Sequence, residues 1–174
     1  MKYENVKLGD YERVTETHVY FWGGIFSQWA TTKFKDPKSK KTFCSTEQWM
    51  MWNKAKLFDE SYCEKILKEK DPKKIKQMGR DINNFNIDVW DRFKYQIVVE
   101  GNYLKFSQNE YAKRILMESA DRIFVEASPY DKIWGVGLYE TDDRILDEKN
   151  WLGENLLGKA ITEVRDYFKR IDNV

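Results

Sequence analysis

The sequence contains few of the residues that build metal centres and disulfide frameworks. Among 174 residues there are two cysteines, Cys44 and Cys63, and one histidine, His18. The cysteines do not form a Cys-x-x-Cys pair, and with one histidine they cannot complete a tetrahedral zinc site without carboxylates. We therefore predict no metal site and no cofactor, and we expect both cysteines to be reduced, buried thiols.

Long apolar runs and a large excess of one charge are also absent. No run approaches the roughly 20 apolar residues that a membrane-spanning helix needs, and Met1–Asn5 lacks the apolar segment of a signal peptide. Thirty Lys and Arg face 29 Asp and Glu, which gives a formal net charge of +1. No overall field then attracts nucleic acid or an anionic membrane. We predict a cytoplasmic protein with no membrane partner.

Aromatic residues, in contrast, are abundant, at 16% of the chain with Trp 7, Tyr 10 and Phe 10. Aromatic side chains dominate the energetics of hydrophobic cores, and they also stack on flat ligands such as nucleobases. Composition alone does not divide the aromatic residues between these two uses.

Hydrophobic periodicity predicts a mainly α fold, a single compact helical domain over residues 18–174 with a few short strands, after a loose lead-in over residues 1–17. Extended segments are predicted at His18–Trp22, Phe26–Trp29 and 122–127. Lys33–Lys41 reads as a solvated loop or, alternatively, as a contact for a ligand phosphate. The predicted helices run from Ser45 to Phe58, Asp59 to about Lys70, Asp71 to Gly79, Asn86 or Asp88 to Gly101, Asn102 past Leu116, and about Glu154 to Ile171.

The helix from Ser45 carries the first candidate site residue. Ser45 and Gln48 have the spacing of a capping box, in which the glutamine amide reaches back to the helix start. Apolar residues nearly encircle the helix, so we expect it to be buried. Glu47 lies in the first turn, where the helix dipole favours an ionised carboxylate. Lys54 lies seven residues on, on the same face. A carboxylate in the first turn is also an ordinary helix-stabilising feature.

Ser128–Gly137 is the second candidate region, because it joins a carboxylate, an indole and two glycines to the end of a predicted strand. Asp131 and Trp134 are the functional candidates, and Gly135 and Gly137 leave backbone open to a ligand. Alternatively, Ser128 caps a short helix in which Asp131 is the third-position carboxylate.

Two apparent motifs are rejected. Gly153–Lys159 matches the start of a phosphate-binding P-loop, but Ala160 follows where a hydroxyl is needed, and no strand leads into the loop. We expect a glycine bend there, with Asn155 at a helix start as a possible amide for a ligand. His18 has no acidic neighbour in the sequence, so a packed or surface histidine is favoured over a catalytic one.

Taken together, these residues resemble the NADAR family of YbiA-like N-glycosidases, over about residues 18–170. The resemblance is weakest in Lys33–Lys41 and Glu140–Asn150. The matching pieces are Phe21-Trp22 with Phe26-Ser27, Phe43–Met50 with Lys54–Phe58, Gly79-Arg80, Trp90, Lys105-Phe106-x-Gln108-Asn109, Glu126–Gly137, and Trp151-x-Gly153-x-Asn155-x-x-Gly158.

The resemblance implies a mostly helical, metal-free hydrolase that cleaves a bond between ribose and a base-like amine. The implied substrates are phosphoribosylamino-pyrimidine intermediates of riboflavin synthesis and ADP-ribose attached to guanine, including guanine in nucleic acid. The implied catalytic residues are Glu47 and Asp131, which we expect to meet in one aromatic-walled cavity. The implied substrate-binding residues are Trp22, Lys54, Arg80, Trp90, Trp134, Gly135 and Asn155.

Two other functions fit the same sequence. One is a non-catalytic module that binds ADP-ribose or a nucleotide in the same pocket. The other is a nucleic-acid binder that uses Lys38, Lys40 and Lys41, whose affinity would fall steeply with salt.

Overall fold

The computed structural model describes residues 12–172, and its secondary structure is mainly α-helical, as predicted. Within that range, no helix combines the length and the apolar character needed to cross a membrane. The strands are β1 (Glu12–Val14), β2 (His18–Phe21), β3 (Phe34–Lys35), β4 (Thr42–Phe43) and β5 (Ile123–Glu126). The α-helices are α1 (Thr46–Phe58), α2 (Cys63–Lys68), α3 (Pro72–Asp81), α4 (Ile87–Ser107), α5 (Glu110–Glu118) and α6 (Leu156–Asp172).

The chain divides into two compact units. Unit 1 comprises the residues up to Ser27 and those from Tyr111 onward, and unit 2 comprises Gln28–Glu110. Of the predicted loose lead-in at residues 1–17, residues 1–11 lie outside the described part of the structure. The remainder is ordered in part, because β1 pairs with β2 and Arg13 lies opposite Tyr20.

Unit 1 is built on a three-stranded sheet covered by α6. The strand order is β1-β2-β5, with β2 antiparallel to β1 and parallel to β5. The helical spacing of four apolar residues in the last helix predicts a stripe that faces the core. The structure confirms it, since each of the four is buried: Leu157, Ile161, Val164 and Phe168.

Unit 2 is organised around α1, which contacts α2, α3 and α4. The predicted limits of α1 are confirmed, and its first seven residues, Thr46–Trp52, are all buried. The sequence predicted this burial, because apolar residues nearly encircle the helix. Cys44 and Cys63 are both buried and free, as predicted.

Two glycines that were predicted to end helices lie inside them instead. α3 continues two residues past Gly79, and α4 passes through Gly101 without a break. A Cβ on Gly79 would overlap Met51, and one on Gly101 would overlap the Trp49 ring. The glycines therefore allow close packing against α1. Asn102, predicted to cap the next helix, instead donates to the carbonyl of Val98.

Other segments also differ from the prediction. Phe26–Trp29 is not extended, because Gly24 adopts a φ of 59° and the chain forms a 3-10 helix at Gly24–Phe26. The segment Lys33–Lys41 has exposed lysines, as expected for a solvated loop, but β3 and β4 pair there as a hairpin. Asp36 stabilises the connection by accepting from the backbone N–H groups of Lys38 and Ser39.

Two helices in the middle of the chain also depart from the prediction. Asp59 caps a 3-10 turn at Glu60–Tyr62 that precedes α2, so the predicted helix is divided. The helix predicted from Asn102 would also point Tyr111 inward, together with Ile115 and Leu116, but Tyr111 is 63% exposed on α5.

We expect Gly101→Ala to destabilise the protein although alanine is the better helix former. A Cβ at this position would lie 2.9 Å from Nε1 of Trp49 and closer still to its Cδ1. Overpacking costs roughly 1–3 kcal/mol, which exceeds the roughly 1 kcal/mol helical gain. Chemical denaturation measures the change. Gln96→Ala, at an exposed site on α4, is the matched control, and an equal response of both variants would contradict the packing argument.

Candidate functional site

Asp131 organises a tight turn rather than a short helix. Its Oδ1 accepts hydrogen bonds from the backbone N–H groups of Ile133, at 2.9 Å, and Trp134, at 2.8 Å. The alternative interpretation, a helix capped by Ser128, is wrong, because residues 128–137 contain no helix. A short acidic side chain that binds the backbone two and three residues on is a well-known turn former. The carboxylate is half-buried.

The turn is fixed to the segment that leads into α6, and to the first residues of α6, by a ladder of backbone hydrogen bonds. The N–H groups of residues 152 and 154–157 donate to the carbonyls of residues 132–136. Gly135 and Gly153 allow this close approach, because a Cβ on Gly153 would overlap the Gly135 carbonyl and one on Gly135 would lie 2.9 Å from the Glu126 carbonyl. Asp131 and Trp134 therefore stand on a rigid support, which a catalytic group requires.

Asn155 ties this support to the sheet. Its backbone is left-handed, with a φ of 55°. Its side-chain Oδ1 accepts from the Glu126 N–H at 2.9 Å, and its Nδ2 donates to the Phe124 carbonyl at 2.9 Å. Both ends of the amide are thus occupied by β5, and the side chain is 1% exposed. These contacts give Asn155 a positioning role, and the contact of its amide with a ligand stays a prediction.

Trp22 directly follows β2 and is 43% exposed. Its ring packs against Tyr139, with centroids 5.5 Å apart, and against Tyr130, at 6.3 Å. Since Tyr130 is the residue before Asp131, the aromatic cluster and the carboxylate turn belong to one region of unit 1.

Glu47 occupies the first turn of α1, as predicted, and is 3% exposed. Its backbone N–H donates to the Gln28 carbonyl at 2.9 Å. Ser45 caps the helix by accepting from the Gln48 N–H at 3.1 Å. The second half of the predicted capping box is wrong, because the Gln48 Oε1 accepts from Cys44. These contacts fix the direction in which α1 begins, and hence the position of Glu47.

Lys54 is surrounded by the other candidates of unit 2. Its Nζ donates to the Gly79 carbonyl at 2.7 Å and lies 4.2 Å from the Phe85 ring centroid and 5.8 Å from that of Trp90. Burial lowers the pKa of Lys54, the Arg80 charge lowers it further, and the Glu47 charge opposes both. A carboxylate, two cations and an indole therefore act on one another in unit 2.

The predicted site residues consequently form two groups. Unit 1 positions Asp131, Trp134, Gly135 and Asn155 on one support and Trp22 on the cluster next to it, whereas unit 2 gathers Glu47, Lys54, Arg80 and Trp90. The expectation that Glu47 and Asp131 share one cavity stays a prediction.

Sequence reasoning missed contacts and burial that the structure shows for several side chains. Tyr130 and Tyr139 carry no periodic or motif signal, although Tyr130 lies beside Asp131. Lys105 stood in a family motif without an assigned role, yet it is fully buried, and burial lowers its pKa to about 7. His18 does have an acidic neighbour, Glu148, with Oε1 3.3 Å from Nε2.

Among residues 12–172, no group of three or more His, Cys, Asp or Glu residues is placed to hold a metal ion.

Comparisons with known proteins give a consistent result. A family model described as the NADAR domain matches residues 20–169. A protein named N-glycosidase from Acanthamoeba polyphaga mimivirus is 42% identical over 164 residues, covering 87% of this chain and 96% of its own length. Protein irg-1 of Caenorhabditis elegans is 40% identical over 138 residues, covering 76% of this chain and 65% of that protein.

A third relative and one solved structure extend the comparison. A protein named N-glycosidase from Nostoc punctiforme is 32% identical over 82 residues, covering 47% of this chain and 46% of its own length. The NMR structure of the E. coli protein YbiA matches with a TM-score of 0.74 at 25% identity, covering 92% of this chain and 89% of that chain.

Proposed function

Because the chain belongs to the NADAR family, we propose that it hydrolyses the N-glycosidic bond between a ribosyl phosphate or ADP-ribosyl group and a base. Its enzyme class is that of an N-glycosidase, the name carried by the viral and cyanobacterial relatives. The candidate substrates are a ribosylamino-pyrimidine phosphate of riboflavin synthesis and ADP-ribosylated guanine, free or in nucleic acid.

The reaction defines what the site has to supply. When the bond from the ribose anomeric carbon to nitrogen breaks, positive charge develops on the sugar, as in other glycoside hydrolyses. Water adds its oxygen to the anomeric carbon, one water proton is removed, and the leaving nitrogen takes up a proton. An ionised carboxylate stabilises the cationic sugar, and a second group handles the water or the leaving nitrogen. We assign these two tasks to Glu47 and Asp131.

The observation that carries this proposal is the group around Lys54. Arg80 is close enough for its charge to lower the pKa of Lys54, and Glu47 acts on the same ammonium. Two neighbouring cations suit a phosphate or diphosphate, because guanidinium and ammonium groups bind phosphate oxygens with charge-assisted hydrogen bonds. The Phe85 ring, near the same ammonium and 43% exposed, offers aromatic surface to the same ligand.

Asp131 suits the second task because its turn fixes one oxygen and leaves the other uncommitted. Oδ1 accepts hydrogen bonds from both backbone N–H groups of the turn. Within the turn, no described residue donates to Oδ2. A carboxylate held by one oxygen is oriented without losing its capacity to accept from water or to face a developing cation.

The test is product analysis with the full chain. The protein is incubated with a ribosylamino-pyrimidine phosphate and with ADP-ribosylated guanosine, and chromatography follows the release of ribose 5-phosphate or ADP-ribose together with the free base. Stoichiometric release of sugar and base supports the proposal. Calorimetric binding of ADP-ribose without cleavage of either substrate would instead identify a non-catalytic binding module.

A further inference from the structure

Unit 1 carries a cluster of three aromatic rings that the fold leaves in contact with solvent. Trp22, Tyr130 and Tyr139 are 43%, 79% and 40% exposed. All three pairs of rings are in contact, and their centroids lie 5.5 to 6.3 Å apart. Tyr139 meets both partners edge to face, at interplanar angles of 81° and 84°.

The cluster also has a defined polar element. The hydroxyl groups of Tyr130 and Tyr139 form a hydrogen bond of 2.8 Å. This bond raises the pKa of Tyr139, and burial and the neighbouring charges of Tyr130 and Glu140 raise it further. Glu140 Oε2 is shielded from solvent and has no hydrogen-bond partner among the described residues. The paired hydroxyls are acceptors beside an aromatic surface, and the charge of Glu140 acts on Tyr139.

The position of the cluster connects it to the chemistry. Tyr130 directly precedes Asp131, whose turn is fixed to the segment before α6 by the backbone ladder. Gly137, with a φ of 73°, packs against Leu152 and leads the chain back to Tyr139. The two tyrosines are therefore presented by the same rigid support as the proposed catalytic carboxylate.

Such a cluster is costly to leave uncovered. Aromatic side chains stabilise a protein mainly by burial, and three mutually packed rings that remain exposed form a surface suited to a flat ligand. A heteroaromatic base would stack on an exposed ring of the cluster, and its N–H groups would find acceptors at the hydroxyl pair. A phosphate group alone would leave the aromatic surface in water.

We propose that Trp22, Tyr130 and Tyr139 form the seat for the base of the substrate, a flat heteroaromatic ring system that carries N–H donors. The inference rests on the proposed function for the identity of the ligand. It goes beyond that function because it assigns base recognition to two tyrosines, one beside Asp131 in the Glu126–Gly137 motif and one outside that motif.

The test measures how much affinity a base adds to the same sugar phosphate. Guanosine 5′-monophosphate and ribose 5-phosphate are titrated calorimetrically into the full chain and into three variants, and chromatography afterwards verifies that the nucleotide is intact. Tyr130→Leu removes a ring. Tyr139→Phe removes only the Tyr139 hydroxyl and its bond to the Tyr130 hydroxyl. Tyr111→Leu alters an exposed tyrosine of α5 and is the matched control.

We expect wild type to bind the nucleotide more tightly than the sugar phosphate. Stacking is worth roughly 1–3 kcal/mol per base, so Tyr130→Leu should weaken nucleotide binding on the order of tenfold while affinity for ribose 5-phosphate stays within about twofold. Tyr139→Phe should weaken nucleotide binding less, and Tyr111→Leu should change neither affinity.

Two results would overturn the base seat. One is that wild type binds the nucleotide no more tightly than ribose 5-phosphate. The other is that Tyr130→Leu lowers the affinity for both ligands equally. The proposed function fails separately. One outcome is that wild type cleaves no N-ribosyl substrate and yet binds the nucleotide more tightly than the sugar phosphate, with that gain lost in Tyr130→Leu. This result would support the base seat and contradict the hydrolase. Cleavage together with an unchanged gain in all variants would support the hydrolase and contradict the seat.

Discussion

Glu47→Gln should lower kcat by at least on the order of a hundredfold while the protein still folds. The replacement keeps the shape of the side chain and removes the negative charge that we propose stabilises the cationic sugar. Glu47 lies in the first turn of α1, and its backbone N–H is bonded to Gln28, a contact that glutamine retains. Steady-state kinetics with the substrate that wild type cleaves gives the ratio of kcat values.

A control variant, a measurement of folding and a measurement of binding show whether a loss of activity in Glu47→Gln is catalytic. Glu60→Gln, at an exposed position in the same unit, is the matched control and should leave kcat within about twofold. Thermal unfolding and titration with ribose 5-phosphate separate a catalytic defect from a structural one. Normal product release by Glu47→Gln would remove its catalytic assignment, as would a loss of activity explained entirely by unfolding.

The structure shows which parts of the fold local sequence signals can predict. The limits of α1 were predicted because Ser45 supplies a cap and the apolar run ends at Phe58, both within the helix itself. Gly79 and Gly101 were wrongly predicted to end helices, because the need for glycine at these positions comes from side chains on another helix. Met51 and Trp49 pack against them, and no local pattern distinguishes a glycine that accommodates a distant ring from one that ends a helix.

The same distinction applies to the candidate site. The resemblance named Glu47 and Lys54, and the structure adds that Arg80 acts on the same ammonium. The roles of Asn155 and of His18 depend on partners far along the chain, in β5 and at Glu148. The Trp22 cluster joins residues more than 100 positions apart, so only the folded chain identifies it.

Asp131→Asn should also lower kcat by at least on the order of a hundredfold, and this substitution separates charge from structure. The asparagine Oδ1 still accepts from the N–H groups of Ile133 and Trp134, so the turn should persist. Asparagine cannot supply a negative charge to a developing cation or take a proton from water. Asp131→Ala, which removes both functions, should lose the activity and also lower Tm.

The pair of variants makes the assignment decisive. If the carboxylate acts in the reaction, Asp131→Asn is inactive with a Tm close to that of wild type, and only Asp131→Ala is destabilised. If Asp131 merely holds the turn, Asp131→Asn retains normal kcat and the alanine variant alone is impaired. Because residues that serve one step are strongly non-additive, the double variant Glu47→Gln/Asp131→Asn should be little slower than the slower single variant. Additive losses would mean that the two carboxylates contribute independently, and the shared mechanism would have to be abandoned.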